Sequence, residues 1–229
     1  MKIDIWSDVI CPFCYIGKRK LEAALEQTGL HVEIEWHSFE LNPSAPQSYG
    51  VPLPDVMNAL YGMSPERAVA VLDHEAHEAS LVGLDFLWRI AKPGNTFNAH
   101  RVLHLAKHVG LGDQTKERFL RAYFTEGKDI GEVQVIRALA LEVGLTAEDV
   151  DAVLSTDRFA AEVRADEQQA ARLGIRGVPH FVIDGQATIS GARDVSDFVR
   201  VLQARQDAAD DAAPDAGAVC KDGDCQVAR

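Results

Sequence analysis

The stretch that most limits what this chain can be is Cys11-Pro12-Phe13-Cys14, which follows the apolar run Ile3 to Ile10 and leads into a helix-patterned segment. Two cysteines separated by two residues at a strand-to-helix junction read as a reversible dithiol/disulfide pair. Free N–H groups and the positive dipole end of the helix favour a thiolate at the first cysteine. The thiolate is the attacking species in disulfide exchange. Pro12 suits the first helical turn, where a missing N–H costs nothing. On this reading Cys11 is the more acidic and more exposed thiol and attacks. Cys14 then resolves the mixed disulfide and releases the partner.

Other uses of the pair fare worse. A closed zinc site needs further Cys or His ligands at suitable spacing. The remaining cysteines, Cys220 and Cys225, lie at the far end of the chain with four residues between them. A purely structural pair has no packing rationale at an exposed helix start. Neither a metal nor an organic cofactor is therefore expected.

The order of elements frames the site. Lys2 to Ile10 reads as a buried strand, Phe13 to Thr28 as a helix stopped by Gly29, and Val32 to Trp36 as a second, alternating strand. Together they form a parallel β-α-β unit. A proline-rich loop, Asn42 to Pro54, then leaves the sheet. Residues 55–173 read as helices almost throughout, with Ser64-Pro65-Glu66 as one helix start and further segments at 113–126, 132–143, 146–155 and 158–173. After Gly174, Phe181-Val182-Ile183 and Ala187-Thr188-Ile189 flank an Asp184-Gly185 turn, the mark of a hairpin. Asp194 to Leu202 closes the pattern as a helix. Without the insertion, the remaining β-α-β and β-β-α halves describe an α/β thioredoxin fold. The expected organisation is thus a thioredoxin-like domain from 1–54 and 174–206, an all-helical insertion at 55–173, and a mobile tail at 207–229. The tail holds six Asp, seven Ala and two basic residues, too little apolar surface to offset its ordering entropy.

Composition narrows the partners. A net charge of −12 argues against nucleic acid, which demands a basic patch, and against anionic membranes. No run approaches the roughly 18 to 20 apolar residues of a membrane span. Met1-Lys2 leads straight into a strand without a leader pattern, so a cytoplasmic location is expected. Cysteines kept in that compartment are more often catalytic or redox-sensing than structural.

Three further groups stand out. Val178-Pro179 precedes the third strand, and a cis bond there would present the Val178 backbone to an extended substrate beside Cys11. His100, His104 and His108 recur every four residues and read as a polar, partly exposed helix face. His100, near the helix start, could face the dithiol. His74 and His77 are expected in solvent. Cys220 and Cys225 could close a local disulfide loop and act as a second redox pair, with free tail thiols as the plain alternative.

Several separate motifs, in order, resemble the cytosolic DsbA-like thioredoxin family and its FrnE-type branch: Asp8 to Gly17, Phe39 to Pro43, Asn95 to Arg101, Glu126 to Ile130 and Gly177 to Phe181. The resemblance spans residues 1–203. It implies that Cys11 attacks, Cys14 resolves, Pro179 is the family's cis-proline, Pro12 and Phe13 support the site, and Phe13 and Val178 meet substrate. Protein thiols and disulfides are the implied substrates, with glutathione or a thioredoxin-type reductant as electron partner. Isomerase activity is a further implied role. Phe13 replaces the histidine typical of periplasmic members, which implies a less acidic Cys11 and a less oxidising couple. Two alternatives remain: a glutathione-dependent isomerase or transferase of the 2-hydroxychromene-2-carboxylate isomerase and kappa type, whose first position is usually Ser, and a non-catalytic redox sensor.

Overall fold

Four strands form one sheet in the order β2-β1-β3-β4. The computed structural model describes residues 1–212, 220–221 and 224–225. The strands are β1 (Lys2–Ser7), β2 (Glu33–Ser38), β3 (His180–Ile183) and β4 (Ala187–Ser190). β1 and β2 run parallel, while β3 is antiparallel to both β1 and β4. Helix α1 (Pro12–Thr28) crosses from β1 to β2. Seven helices separate β2 from β3 among the described residues, and α9 (Val195–Ala212) follows the hairpin. This is the expected thioredoxin fold with a helical insertion.

Register explains the layering. Ile3 stands opposite Ile183 and Ile5 opposite Phe181, so four apolar side chains share one face. That face is covered by Leu21 and Ala24 of α1 and by Phe198 and Leu202 of α9. Phe181 and Phe198 meet edge-on, with ring centroids 4.9 Å apart. Trp6 and Val182 point the other way, against Ala170 and Ile175.

The insertion comprises α2 (Leu53–Tyr61), α3 (Pro65–Ser80), α4 (Phe97–His108), α5 (Gly112–Phe124), α6 (Val133–Glu142), α7 (Ala147–Ser155) and α8 (Ala160–Arg172). Its apolar core is continuous with Val9, Tyr15 and Ile16 of the dithiol segment. Ser64 caps α3 by accepting the Arg67 N–H. The loop expected to reach Pro54 ends at Pro52 instead, because Pro54 falls in the first turn of α2, where its missing N–H is harmless. In the three-residue hairpin connection, Asp184 and Gly185 have φ values of 50° and 67°, the left-handed pair of a turn closed by the Gln186 N–H on the Ile183 carbonyl at 3.0 Å.

One boundary needs correction. The closing helix was expected to stop near Leu202 and the tail to begin at 207, yet α9 continues to Ala212. Its extra turns are rich in alanine, the best helix former. Beyond it, Cys220–Lys221 and Asp224–Cys225 form a two-residue antiparallel ladder with Cys220 opposite Cys225. The side chains of both cysteines, and the rest of the tail, lie outside the described residues.

Candidate active site

Cys11 is the N-cap of α1 and Cys14 lies in its first turn. The Cys14 N–H donates to the Cys11 carbonyl at 3.1 Å. Both thiols are free and buried, Cys11 at 4% exposure and Cys14 at 1%. The Cys11 thiol faces the Val178 carbonyl oxygen at 3.6 Å, and the Val178–Pro179 peptide bond is cis. Gly17 lets the helix approach this loop: a Cβ there would lie 3.0 Å from Pro179 Cγ and 3.1 Å from Phe181 Cζ. Phe13 is 37% exposed at the rim, and Pro12 lines an apolar pocket on the insertion side. An open groove borders Val178, Pro179 and His180. The residues expected at the site from sequence, Cys11, Pro12, Phe13, Cys14, Val178 and Pro179, are therefore gathered in one place.

Two buried ionisable groups, Asp8 and Lys116, sit around the dithiol. Asp8 accepts the N–H groups of Val9 at 2.7 Å and Leu41 at 2.8 Å, and meets His100 Nε2 at 3.2 Å. Burial opposes its charge, but His100 and the Leu41 N–H outweigh that and hold the carboxyl below its ordinary range. Lys116, from α5, is 1% exposed and donates to the Ser7 carbonyl oxygen at 3.2 Å. Its Nζ also lies 5.4 Å from the centre of the Trp36 ring. Burial pulls Lys116 down to about 8, against the attraction of Cys14, Asp8 and Cys11.

The two thiols share these charges unequally. The hydrogen bond with Cys14 and then burial push Cys11 well above the usual thiol range. At Cys14 burial also opposes ionisation, but the hydrogen bond from Cys11, the Lys116 charge and the Ser7 hydroxyl bring it below that range. The two thiols thus ionise as a pair, sharing one proton across the Cys11–Cys14 contact. The Lys116 cation favours the negative charge of the pair, and the Val178 side of the site is reached by Cys11.

The histidine stripe also departs from expectation. His100 and His104 are buried, not on an exposed face. The helix α4 lies inside the insertion, where His100 meets Asp8 and His104 Nε2 lies 3.1 Å from Asp166. Only His108 is exposed. His74 and His77 are exposed as expected. Asp4, Glu35 and His37 are close enough to share a cation, but their donors are already engaged by Lys2, Lys107 and Asp166.

Sequence reasoning missed Lys116 because a lysine is normally assigned to solvent. One signal was available: Lys116 precedes Phe119, Leu120 and Tyr123 by three, four and seven residues, and so shares their buried helix face.

Comparison with known proteins agrees with this geometry. The DSBA-like thioredoxin domain matches residues 2–203. A probable DsbA oxidoreductase from Streptomyces coelicolor, SCO1869, is similar at a TM-score of 0.83 and 37% identity, over 100% of both chains. YwbO of Bacillus subtilis (strain 168) is 30% identical over 207 residues, 89% of this chain and 96% of YwbO. The cytosolic disulfide reductase DsbM from Pseudomonas aeruginosa shares the fold, with a TM-score of 0.64 at 22% identity over 91% of this chain and 100% of DsbM.

Proposed function

From the premise that this chain belongs to the DSBA-like thioredoxin family, we propose that it catalyses thiol–disulfide exchange on protein substrates through Cys11 and Cys14. The observation that carries the reading is the Cys11 thiol, 3.6 Å from the Val178 carbonyl, with the Cys14 thiol buried behind it. A substrate chain lying along Val178-Pro179 would bring its disulfide to Cys11 and no further.

Each step balances. The reduced pair loses one proton to solvent, and Cys11 attacks the substrate disulfide as thiolate while the remaining proton stays on Cys14. One substrate sulfur leaves as thiolate, and the other remains bonded to Cys11. Cys14 then gives up its proton to the departing substrate thiolate, and the Lys116 cation favours the thiolate left behind. The Cys14 thiolate attacks Cys11 and expels the second substrate thiolate. The substrate is reduced by two electrons and the enzyme is left as the Cys11–Cys14 disulfide. Glutathione or a thioredoxin-type dithiol would restore it, and the reverse sequence would oxidise a substrate.

Cys11, where the isomerase and transferase branch usually carries serine, favours exchange over that chemistry. A cytoplasmic site of action fits the reading, and no helix among the described residues is long and apolar enough to cross a membrane. The Cys220–Cys225 pair would act as a second couple exchanging electrons with Cys11–Cys14, and the backbone register that sets Cys220 opposite Cys225 supports local pairing. The test is turnover of a peptide disulfide with glutathione as reductant. Wild type should turn over, Cys11→Ser should not, and removal of residues 213–229 should alter the rate. Turnover by Cys11→Ser would overturn the main reading, and an unchanged rate on truncation would overturn the relay.

A further inference from the structure

Beside the dithiol segment lies a pocket of about 180 Å³ that shares no lining residue with the groove along the cis-proline loop. Ile10 and Pro12, the two chain neighbours of Cys11, form one wall. Met57, Leu72 and Phe86 from the insertion form much of the rest. Polar side chains interrupt this apolar lining: Asn42, which donates to the Tyr49 hydroxyl at 3.0 Å, Tyr61, Tyr123 and one ionisable carboxyl, that of Glu75. Among the described residues Glu75 has no hydrogen bond and no ion pair. Burial alone raises its carboxyl to about 7. Nothing in the exchange chemistry uses it.

An unpaired carboxylate in an apolar cavity is costly, and a cation that meets it removes much of that cost. A ligand matched to this pocket therefore has an apolar stem and a positive end. A lysine or arginine side chain has that form, since its methylenes lie on apolar surface while its head seeks charge. The chain's net charge of −12 favours the approach of such a partner. A wholly apolar side chain would fill the same walls and leave the half-buried Glu75 without a counter-charge.

We propose that this pocket is a specificity subsite for a lysine or arginine side chain one or two residues from the substrate's reacting cysteine, with Glu75 receiving the cation. The proposal rests on the thiol–disulfide reading for its placement next to Cys11, and it adds the substrate class. Binding should strengthen as pH rises from 6 to 8 and Glu75 ionises. Tyr123 also lines the pocket and stays neutral there, its hydroxyl raised by burial, Asp8, Glu75 and Asp129.

The test uses fluorescent peptides in which serine replaces the reacting cysteine, so that no covalent exchange occurs. Each of the two positions on either side carries lysine, norleucine or glutamate in turn. At one position, lysine should bind at least about tenfold tighter than norleucine at pH 8, the size of one good charge-assisted contact. Glu75→Gln should cut that preference to about threefold or less. Calorimetry of wild type in two buffers at pH 7 should show proton release when the lysine peptide binds. Equal or tighter binding of norleucine at all four positions overturns the proposal, as does binding of no peptide, a preference kept by folded Glu75→Gln, or binding without proton release. A protein that prefers the lysine peptide yet turns over no disulfide would instead defeat the exchange reading and leave the subsite standing.

Discussion

Lys116 Nζ lies 3.2 Å from the carbonyl oxygen of Ser7, which places a buried cation beneath the dithiol. Its counter-charges are shared: the attraction comes from Cys14, Asp8, Cys11 and Asp113 in decreasing order. The first proton lost by the Cys11–Cys14 pair is therefore lost in the field of a lysine from the helical insertion.

Replacing that cation should be felt in the thiols. Lys116→Met keeps the apolar stem, and a hydrophobic residue of similar volume is tolerated at such sites. The first ionisation of the reduced pair should rise by about 1 to 3 units, the usual effect of one nearby opposite charge. Thiolate absorbance at 240 nm against pH reads this directly. An unchanged midpoint in the folded variant would remove Lys116 from the exchange cycle.

Asp166 holds α8 to the sheet. Its carboxylate accepts the Ser38 N–H at 2.8 Å, meets His37 Nδ1 at 2.8 Å and lies 3.1 Å from His104 Nε2. Burial opposes the charge, but these partners overcome it and keep the carboxyl far below its ordinary range. Asp166→Ala should cost about 3–5 kcal/mol, as expected when one member of a buried charged network is removed. Urea denaturation near neutral pH measures it, and a loss below about 1 kcal/mol would show that the network is not what fixes α8.

Glu75 should give stability a pH dependence of known sign. Its folded carboxyl titrates at about 7 against an ordinary 4.5, so between those values the folded state binds more protons than the unfolded. Stability then falls as pH rises through that window, and the full cost is present above about 7. Glu75→Gln should be more stable than wild type at pH 8 and nearly equal to it at pH 4. The difference between the two proteins isolates this group from the carboxylates whose folded values are lowered. A difference independent of pH would contradict the assignment.

The frame of the molecule could be read from local signals, and the charges around its site could not. Cys11-Pro12-Phe13-Cys14 after an apolar strand, the Asp184-Gly185 turn and Pro179 before a strand each act within a few residues, so periodicity and turn chemistry disclose them. Ser64 as a cap and Gly29 as a stop belong to the same class. Asp8 with His100, Lys116 with Ser7 and Glu75 beside Pro12 join positions far apart in the chain, and only packing of the insertion against β1 and α1 brings them together. Hydropathy sends each of these residues to solvent. The histidine stripe misled for the same reason, since His100 and His104 are buried against carboxylates from other elements.

The most direct test of exchange through Cys11 is intact-mass spectrometry of the reduced protein after mixing with excess peptide disulfide. Cys14→Ser should gain the mass of one peptide, mapped to Cys11, and keep it. Wild type should pass through the same adduct and finish two hydrogens lighter, as the Cys11–Cys14 disulfide, while Cys11→Ser gains nothing at this site. A stable adduct on Cys14 in the Cys11→Ser protein, or none on Cys11 when Cys14 is replaced, would contradict the assignment of the two sulfurs.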